Sequence, residues 1–482
     1  MATIPIQHPD RVFIDGRWCA PAETAHFDVI CAHSEAVIAQ VAKAGAADID
    51  RAVRAARRAF DDGPWPRLSP EERADYLHRI SAELAPRMPH IARAWVDQIG
   101  ALAAIAPMVT GGGKFWFDYY ADLAGRYAWD VKGPRFDGQG ATHIVREPVG
   151  VVAAIAPWNN PFGIMAAKVA GALLAGCTVI MKPAPETPLE AYLLMEAIEA
   201  AGLPEGVVNL VCADRAVSDR LVRHPMVDKV SFTGSVEAGR QIGMACAERF
   251  ARCTLELGGK SAAIVLEDAD IAQAGAILAN VITMSAGQVC AALSRVVAVE
   301  AVHDRLVEAI RAEMAAITVG HPDDPVARMG PLAMERQRDR VQDYVAIGQG
   351  EGARLLLGGT RSAGQERGWY FDPTLFVDVR PDMRIAREEI FGPVLTVLKA
   401  SDEAEAVRIA NASDFGLYGA VFCADPARAY RVARQVRAGT MAHNNFLFDP
   451  SLPFGGFKAS GVGREGGEAG LTSFTETKSI IL

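Results

Sequence analysis

The sequence predicts a doubly wound α/β protein built in more than one unit, on three observations. From about residue 145 onward, short apolar stretches of strand length alternate with longer stretches of helical spacing. That alternation implies parallel strands joined by crossover helices. A second series of the same kind opens near Ser261. The chain, at 482 residues, is also too long for one simple core, so two or three domains are expected.

Residues 1 to about 125 read as mostly helical and are expected to cover the first sheet. Within them "GGGK" at 111–114 reads as a helix start or a loop. "REPVGVVAAIAP" reads as a strand, "IMAAKVAGALLAGC" as a packed helix and "TVIMKP" as a short buried strand. "TPLEAYLLMEAIEAAG" is a helix with Thr187 as cap, Pro188 just inside and Gly202 at its end. Then follow strand "GVVNLVC", short helix "VSDRLVRH", strand "KVSFTGS", helix "VEAGRQIGMACAERF" and strand "RCTLELGG". The second series runs through strand "SAAIVLE", a helix over 270–284, strand "SRVVAVE" and helix "VHDRLVEAIRAEMAAI". "LYGAVFCA" and "GTMAHNN" are its later strands.

The composition excludes several classes. The net charge is −9 and no block of Lys or Arg offers a phosphate-tracking stripe, so no nucleic-acid partner is expected. Arg51, Arg54, Arg57 and Arg58 have helical spacing and read as a solvated face. The longest apolar stretches are of strand length, so no membrane partner or span is expected. "MATIPIQHPD" lacks the pattern of a signal peptide. The eight Cys are scattered without a CxxC pair or neighbouring His clusters, so neither disulfides nor a metal site is expected, and the expected location is cytoplasmic. "GGGKF" and "LGGKS" fall short of a phosphate-binding loop: Phe115 follows Lys114, and Thr254 stands where the second needs Gly.

Four stretches put polar groups where a packed core would not want them. "APWNNPFG" (156–163) ends an apolar strand, where α/β sheets bind ligands, although a plain turn has the same composition. "MKPAPETP" (181–188) puts Lys182 at a strand end, suited to ribose hydroxyls or phosphate, or simply snorkelling at the surface. "FTGSVEAG" (232–239) is a strand, a Gly turn and a helix start that favours a pyrophosphate, without the usual GxGxxG. "TLELGGKS" (254–261) buries Glu256, which must be paired, protonated or functional; Arg252 is the candidate structural partner. Cys290, in "TMSAGQVCAALSR", is by itself either a small buried hydrophobe or a working thiol.

These stretches, in this order, together with "GQVC", "EEIFGPV" (388–394) and "PFGGFKASGVGRE" (453–465), resemble the NAD(P)-dependent aldehyde dehydrogenase superfamily in its hydrolytic, non-CoA-acylating form. The resemblance covers essentially the whole chain. It implies a Rossmann-like NAD(P)-binding domain (1–126 and 148–257) and a second α/β catalytic domain (258–447). It also implies a small β oligomerisation extension (127–147 and 466–482) and an active-site loop (448–465) returning to the cofactor domain. Cys290 matches the nucleophile, Asn159 the oxyanion donor and Glu256 the general base for thioester hydrolysis. Lys168 and Glu465 match a proton relay from that glutamate. For the cofactor, the resemblance implies Ile155, Ala156, Pro157, Trp158, Lys182, Phe232, Gly234, Ser235, Gly258, Glu389 and Phe391.

Two departures from the family pattern bear on specificity. Many NAD-preferring members carry Glu three residues after the lysine; here Pro185 stands there, and Glu186 comes next. NAD is preferred, with NADP left open. Asn160 replaces the aromatic residue that often follows the catalytic Asn. With Phe162, Met165, Trp116, Val289, Phe448 and Phe454 it gives a mainly apolar wall, which implies an aromatic or medium-length aliphatic aldehyde. Arg295 is read as structural, and Arg464 and Glu476 as braces of a subunit interface. The expected assembly is a homotetramer, with a dimer as the alternative. A CoA-acylating enzyme would not need Glu256, and a non-enzymatic relative would not keep Cys290, Asn159 and Glu256 together.

Overall fold

The computed structural model describes residues 4–482. Its first large sheet has eight strands in the order Gly461–Val462, Arg252–Glu256, Lys229–Thr233, Val151–Ile155, Thr178–Lys182, Val208–Leu210, Val12–Ile14 and Arg17–Cys19. The five central strands are parallel and the others antiparallel. Every residue of Val151–Ile155 and Thr178–Lys182 is buried, as parallel strands covered on both faces require. From Val151–Ile155 the chain builds outward first to one side and then to the other, so the strand order reverses there. The "APWNN" turn leaves the carboxyl end of that strand, where open α/β sheets bind ligands.

The second sheet has seven strands: Arg354–Leu357, Thr374–Val377, Val394–Ala400, Arg295–Val299, Ala262–Val265, Tyr418–Phe422 and Thr440–His443. All pair in parallel except the first. A third, three-stranded antiparallel sheet joins Thr475–Ile481 to Ala141–Pro148 and Asp130–Pro134. A short helix, Gly467–Thr472, precedes the last strand. No helix among the described residues is long and apolar enough to cross a membrane.

Several expectations are corrected. The amino-terminal segment is not only helical: Val12–Ile14 and Arg17–Cys19 extend the first sheet, because Phe13 pairs with Leu210 on its edge. "GGGK" lies inside helix Ala106–Leu123. Packing decides this: a Cβ on Gly113 would fall 2.4 Å from the Phe162 ring, so glycine lets this helix press against helix Pro161–Ala175. "REPVGVVAAIAP" breaks at Gly150 (φ +127°), where the Asp228 carboxylate fills the space a side chain would need and accepts from Val151 N–H at 2.7 Å. Its two halves therefore join different sheets. Thr187 does not cap its helix; Leu189–Ala200 starts after Pro188, and the Thr187 hydroxyl is buried without a partner. Three strands of the second sheet, Arg354–Leu357, Thr374–Val377 and Val394–Ala400, were not expected at all.

The scattered sequence positions also hid one cluster. Cys31, His33 and Asp97 bring their ligand atoms within 4.8 Å of one another. Arg93 forks onto the Asp97 carboxylate and His33 Nε2 lies 3.1 Å from it, so side chains of the protein already satisfy that charge.

Candidate active site

Cys290 follows a tight segment in which Ser285, Ala286 and Gly287 all have positive φ (47°, 52° and 73°). Only Gly287 has no alternative: a Cβ there would lie 2.1 Å from the Gly392 carbonyl oxygen. Gln288, buried, stitches the turn together. Its side chain donates to Ser285 O at 2.9 Å and accepts from Ala333 N–H at 2.9 Å. Asn159 Nδ2 donates to Gln288 O at 2.9 Å, which holds the amide against the segment carrying Cys290. Gly287→Ala is therefore expected to destabilise the protein by about 3 kcal/mol. A thermal unfolding curve matching that of the parent would refute this account of the turn.

Cys290 keeps part of its surface open. Burial, then the negative charges of Glu389 and Glu256, pushes its thiol up to about 12, so at neutral pH it needs a base to become a thiolate. Glu256 ends strand Arg252–Glu256 and is 3% exposed. Neither of its carboxylate oxygens has a hydrogen-bond partner. Burial first, and the charge of Glu465 second, raises its pKa well above the ordinary carboxylate range. The structural alternative fails because Arg252 pairs with Glu476, at 2.6 Å. Gly455 makes room for the carboxylate: a Cβ there would lie 2.6 Å from Glu256 Oε1. Lys168, whose side chain is fully buried, pairs with Glu465. The sheet places Glu256 opposite Gly461, and Phe454 and Glu465 exchange backbone hydrogen bonds of 2.7 and 2.8 Å. The 453–465 segment thus carries Glu465 and Arg464 to the side of Glu256.

The residues expected to hold a cofactor gather at the carboxyl ends of the first sheet. Ile155 and Lys182 are cross-strand neighbours, and Ala156 N–H donates to Lys182 O at 3.2 Å. Burial lowers the Lys182 pKa. Gly234 N–H donates to Glu256 O at 3.0 Å, and a Cβ on Gly234 would lie 2.5 Å from the Phe232 ring. Ser235 caps helix Val236–Glu248 by accepting from Ala238 N–H at 3.3 Å, leaving an anion-favouring helix start beside the glycine. Trp158 packs edge-on against Phe391 at 5.3 Å. Glu389 accepts from Gly259 N–H at 2.9 Å, and burial pushes its carboxyl up to about 7. A Cβ on Gly258 would lie 2.3 Å from that carboxylate. Such glycine-lined, donor-rich edges fit a dinucleotide. Pro185 leaves Glu186 to pair with Arg336 at 2.5 Å, rather than standing unpaired.

The expected substrate wall divides. Asn160, Trp116, Val289 and Phe454 are partly exposed and Phe448 is exposed. Trp116 stacks on Tyr120 (5.8 Å), and Phe448 lies 5.6 Å from Phe454. Met165 and Phe162 are corrected: they sit three residues apart on the inward face of helix Pro161–Ala175 and are lost in the core. Ile164 is the partly exposed residue of that turn. Arg295 is structural as expected, donating to Ile409 O and Ala410 O. Arg464 does not meet Glu476; it donates to Gly463 O and Gly456 O.

Sequence reasoning missed the braces. Gln337 and Arg340 hold the carbonyls of Glu389, Ile390 and Phe391, fixing the backbone on both sides of Glu389. Tyr418 and Phe446 pack behind Phe448, and the Tyr418 hydroxyl bonds both backbone groups of Leu447. Nothing in the local sequence marks Gln337, Arg340 or Tyr418, since each acts across more than 25 residues of chain.

A partly open cysteine under the charge of a buried, unpartnered glutamate that ends a strand of a doubly wound sheet fits an enzyme of thiol chemistry coupled to a nucleotide cofactor. The profile of the aldehyde dehydrogenase family matches residues 18–480, and the chain belongs to that family, whose reaction is the oxidation of an aldehyde to the carboxylic acid. Geranial dehydrogenase of Castellaniella defragrans is 42% identical over 100% of this chain and 99% of its own length. A Mycobacterium tuberculosis aldehyde dehydrogenase solved with NAD+ superposes with a TM-score of 0.96 at 42% identity, covering 98% of each chain. Aldehyde dehydrogenase C of Pseudomonas syringae, solved as a cysteine-to-alanine variant with NAD+ and octanal, has a TM-score of 0.95 at 39% identity, covering 98% of this chain and 97% of its own.

Proposed function

We propose that this NAD-dependent aldehyde dehydrogenase takes apolar aldehydes, aromatic or medium-chain aliphatic, through a thioester on Cys290. The observation that carries the reading is a partly open Cys290 that feels the charge of Glu256, a buried carboxylate with no hydrogen-bond partner. Related enzymes solved with NAD+ support NAD as the cofactor. Lys182, Gly234, Ser235, Gly258 and Glu389 would hold it, and when bound it supplies the two-electron acceptor.

In this reading the Cys290 sulfur bonds to the aldehyde carbon as the thiol proton leaves to a base. Asn159 and the Cys290 N–H hold the oxygen that becomes negative. Oxidation of this adduct leaves a thioester. Glu256 then takes a proton from water, the oxygen adds to the carbonyl, and the carbon–sulfur bond breaks to release the carboxylate. Lys168 and Glu465 carry the proton onward. We further infer a soluble cytoplasmic enzyme that assembles as a tetramer, or a dimer, through the edge of strand Thr475–Ile481, whose Ile480 and Ile481 are exposed together with the following Leu482.

The test is cofactor reduction with aliphatic, aromatic and carboxylated aldehydes, each with NAD and NADP, with and without CoA. Turnover of apolar aldehydes with NAD alone is expected. Strict dependence on CoA would remove Glu256 from its role, and a preference for carboxylated aldehydes would overturn the substrate class.

A further inference from the structure

We propose that Ser231 is a positioning residue for thioester hydrolysis: its hydroxyl bridges Lys168 and Glu465 and fixes them against Glu256. The proposal rests on the role given to Glu256 above. Ser231 sits in strand Lys229–Thr233 at the centre of the first sheet and is 0% exposed. Its register partner on the neighbouring strand is Thr254, and that of Thr233 is Glu256. Side chains two residues apart share a sheet face, so Lys229, Ser231 and Thr233 line the same face as Thr254 and Glu256. Four buried polar residues and the partly exposed Thr233 on two neighbouring strands are not a packing solution; this face is a polar track ending at the base.

Lys168 Nζ donates to Ser231 Oγ at 3.1 Å, and the Ser231 hydroxyl donates to Glu465 Oε1 at 3.2 Å. Lys168 also donates to that same oxygen, so the three groups close a ring. Two of its members come from other elements. Lys168 reaches the ring on a four-carbon stem, and Glu465 stands on the 453–465 segment outside regular strands. Ser231 has one short side chain on a rigid strand, so it sets where the other two sit. The charged and titratable groups facing the ring are Glu256 from strand Arg252–Glu256, Arg464 from its own segment, Lys229 from the serine's strand and Tyr120 from helix Ala106–Leu123. The register of Thr233 with Glu256, two residues along from Ser231, and the action of Lys168 and Glu465 on the Glu256 carboxyl put the ring on the side of the group that must receive, and then lose, the proton of the hydrolytic water.

p-Nitrophenyl acetate separates the two half-reactions, because the ester acylates a thiol with release of p-nitrophenolate and the acetyl thioester must then be hydrolysed. With Ser231→Ala the first, rapid release is expected at the parent rate, while the following steady release falls about fivefold as hydrolysis loses its geometry. Ser231→Thr keeps the hydroxyl and should restore most of the steady rate. Glu256→Gln is run beside them. If Glu256→Gln slows steady release and Ser231→Ala does not, Ser231 has no positioning role and the proposal alone is overturned. If Glu256→Gln turns over like the parent, the role of the base falls and that of Ser231 with it. Equal loss of both phases in Ser231→Ala, not rescued by threonine, would mark a merely structural hydroxyl and also overturns it.

Discussion

Cys290→Ala is expected to lower aldehyde oxidation by about 10⁴-fold or more while NAD binding and the fold persist. The turn that carries this residue is held by Gln288, by the Gly287 approach to Gly392 and by Asn159 on the Gln288 carbonyl, none of which involves the sulfur. Removing it therefore deletes the nucleophile without releasing the loop. No other described cysteine can stand in. Cys31, Cys177, Cys212, Cys246 and Cys423 are buried, and Cys19 lies on the far edge strand of the first sheet. Cys253 is close in sequence to Glu256 but, three residues away on a strand, points to the opposite face. Two measurements check this: single-turnover NADH formation by the variant, and iodoacetamide labelling of the parent with peptide mapping. Activity should fall in step with labelling of Cys290. Turnover retained by the alanine variant, or inactivation that tracks another cysteine, would take the nucleophile's role from Cys290.

What the sequence made legible follows the range of the interaction. The parallel strands were readable because both faces are buried, which leaves runs such as "VVAAI" with no polar alternation. The site residues were readable through motifs, each local to one strand end or turn. Alone, Glu256 could have been a structural ion pair; only the structure shows Arg252 turned to Glu476 and the carboxylate unpartnered. The glycines of "GGGK" looked like a breaker because helix propensity is a local quantity. Gly113 is held there by Phe162, about 50 residues away, pressing where a side chain would be, while Gly111 and Gly112 face open space. Met165, named in the apolar wall, stands six residues after Asn159, and helical phase turns it inward. Gln288 is the instructive miss. It lies two residues before Cys290, yet its value comes from Ser285 and Ala333, a combination no local pattern displays.

Glu256→Gln carries the second large effect, a fall in thioester hydrolysis of about 10² to 10³-fold, with acylation less affected. Its pH dependence follows from the direction of the Glu256 shift. An ordinary glutamate is ionised above a pH of about 4.3. Burial and the Glu465 charge hold Glu256 protonated to higher pH, so the fraction able to accept a proton from water grows as pH rises past that value. In the parent, hydrolysis should therefore keep climbing well above the usual carboxylate range; in the glutamine variant that limb should vanish. The same shift has the opposite consequence for stability. A carboxyl whose pKa is raised by folding favours the folded state at low pH, below its unfolded value, and that contribution is lost as pH rises through the folded value. As pH rises through the folded value, the parent comes to bury a carboxylate without hydrogen bonds, whereas glutamine buries a neutral amide of the same shape. Thermal unfolding at pH 8 should show the glutamine variant at least as stable as the parent, and the difference should shrink toward pH 4. A variant less stable at pH 8, with an unchanged acid limb, would mean that Glu256 is a packing residue and that the base lies elsewhere. The expected pair of results, slower hydrolysis in a protein no less stable, identifies Glu256 as a group kept in the core for its chemistry at a cost to the fold.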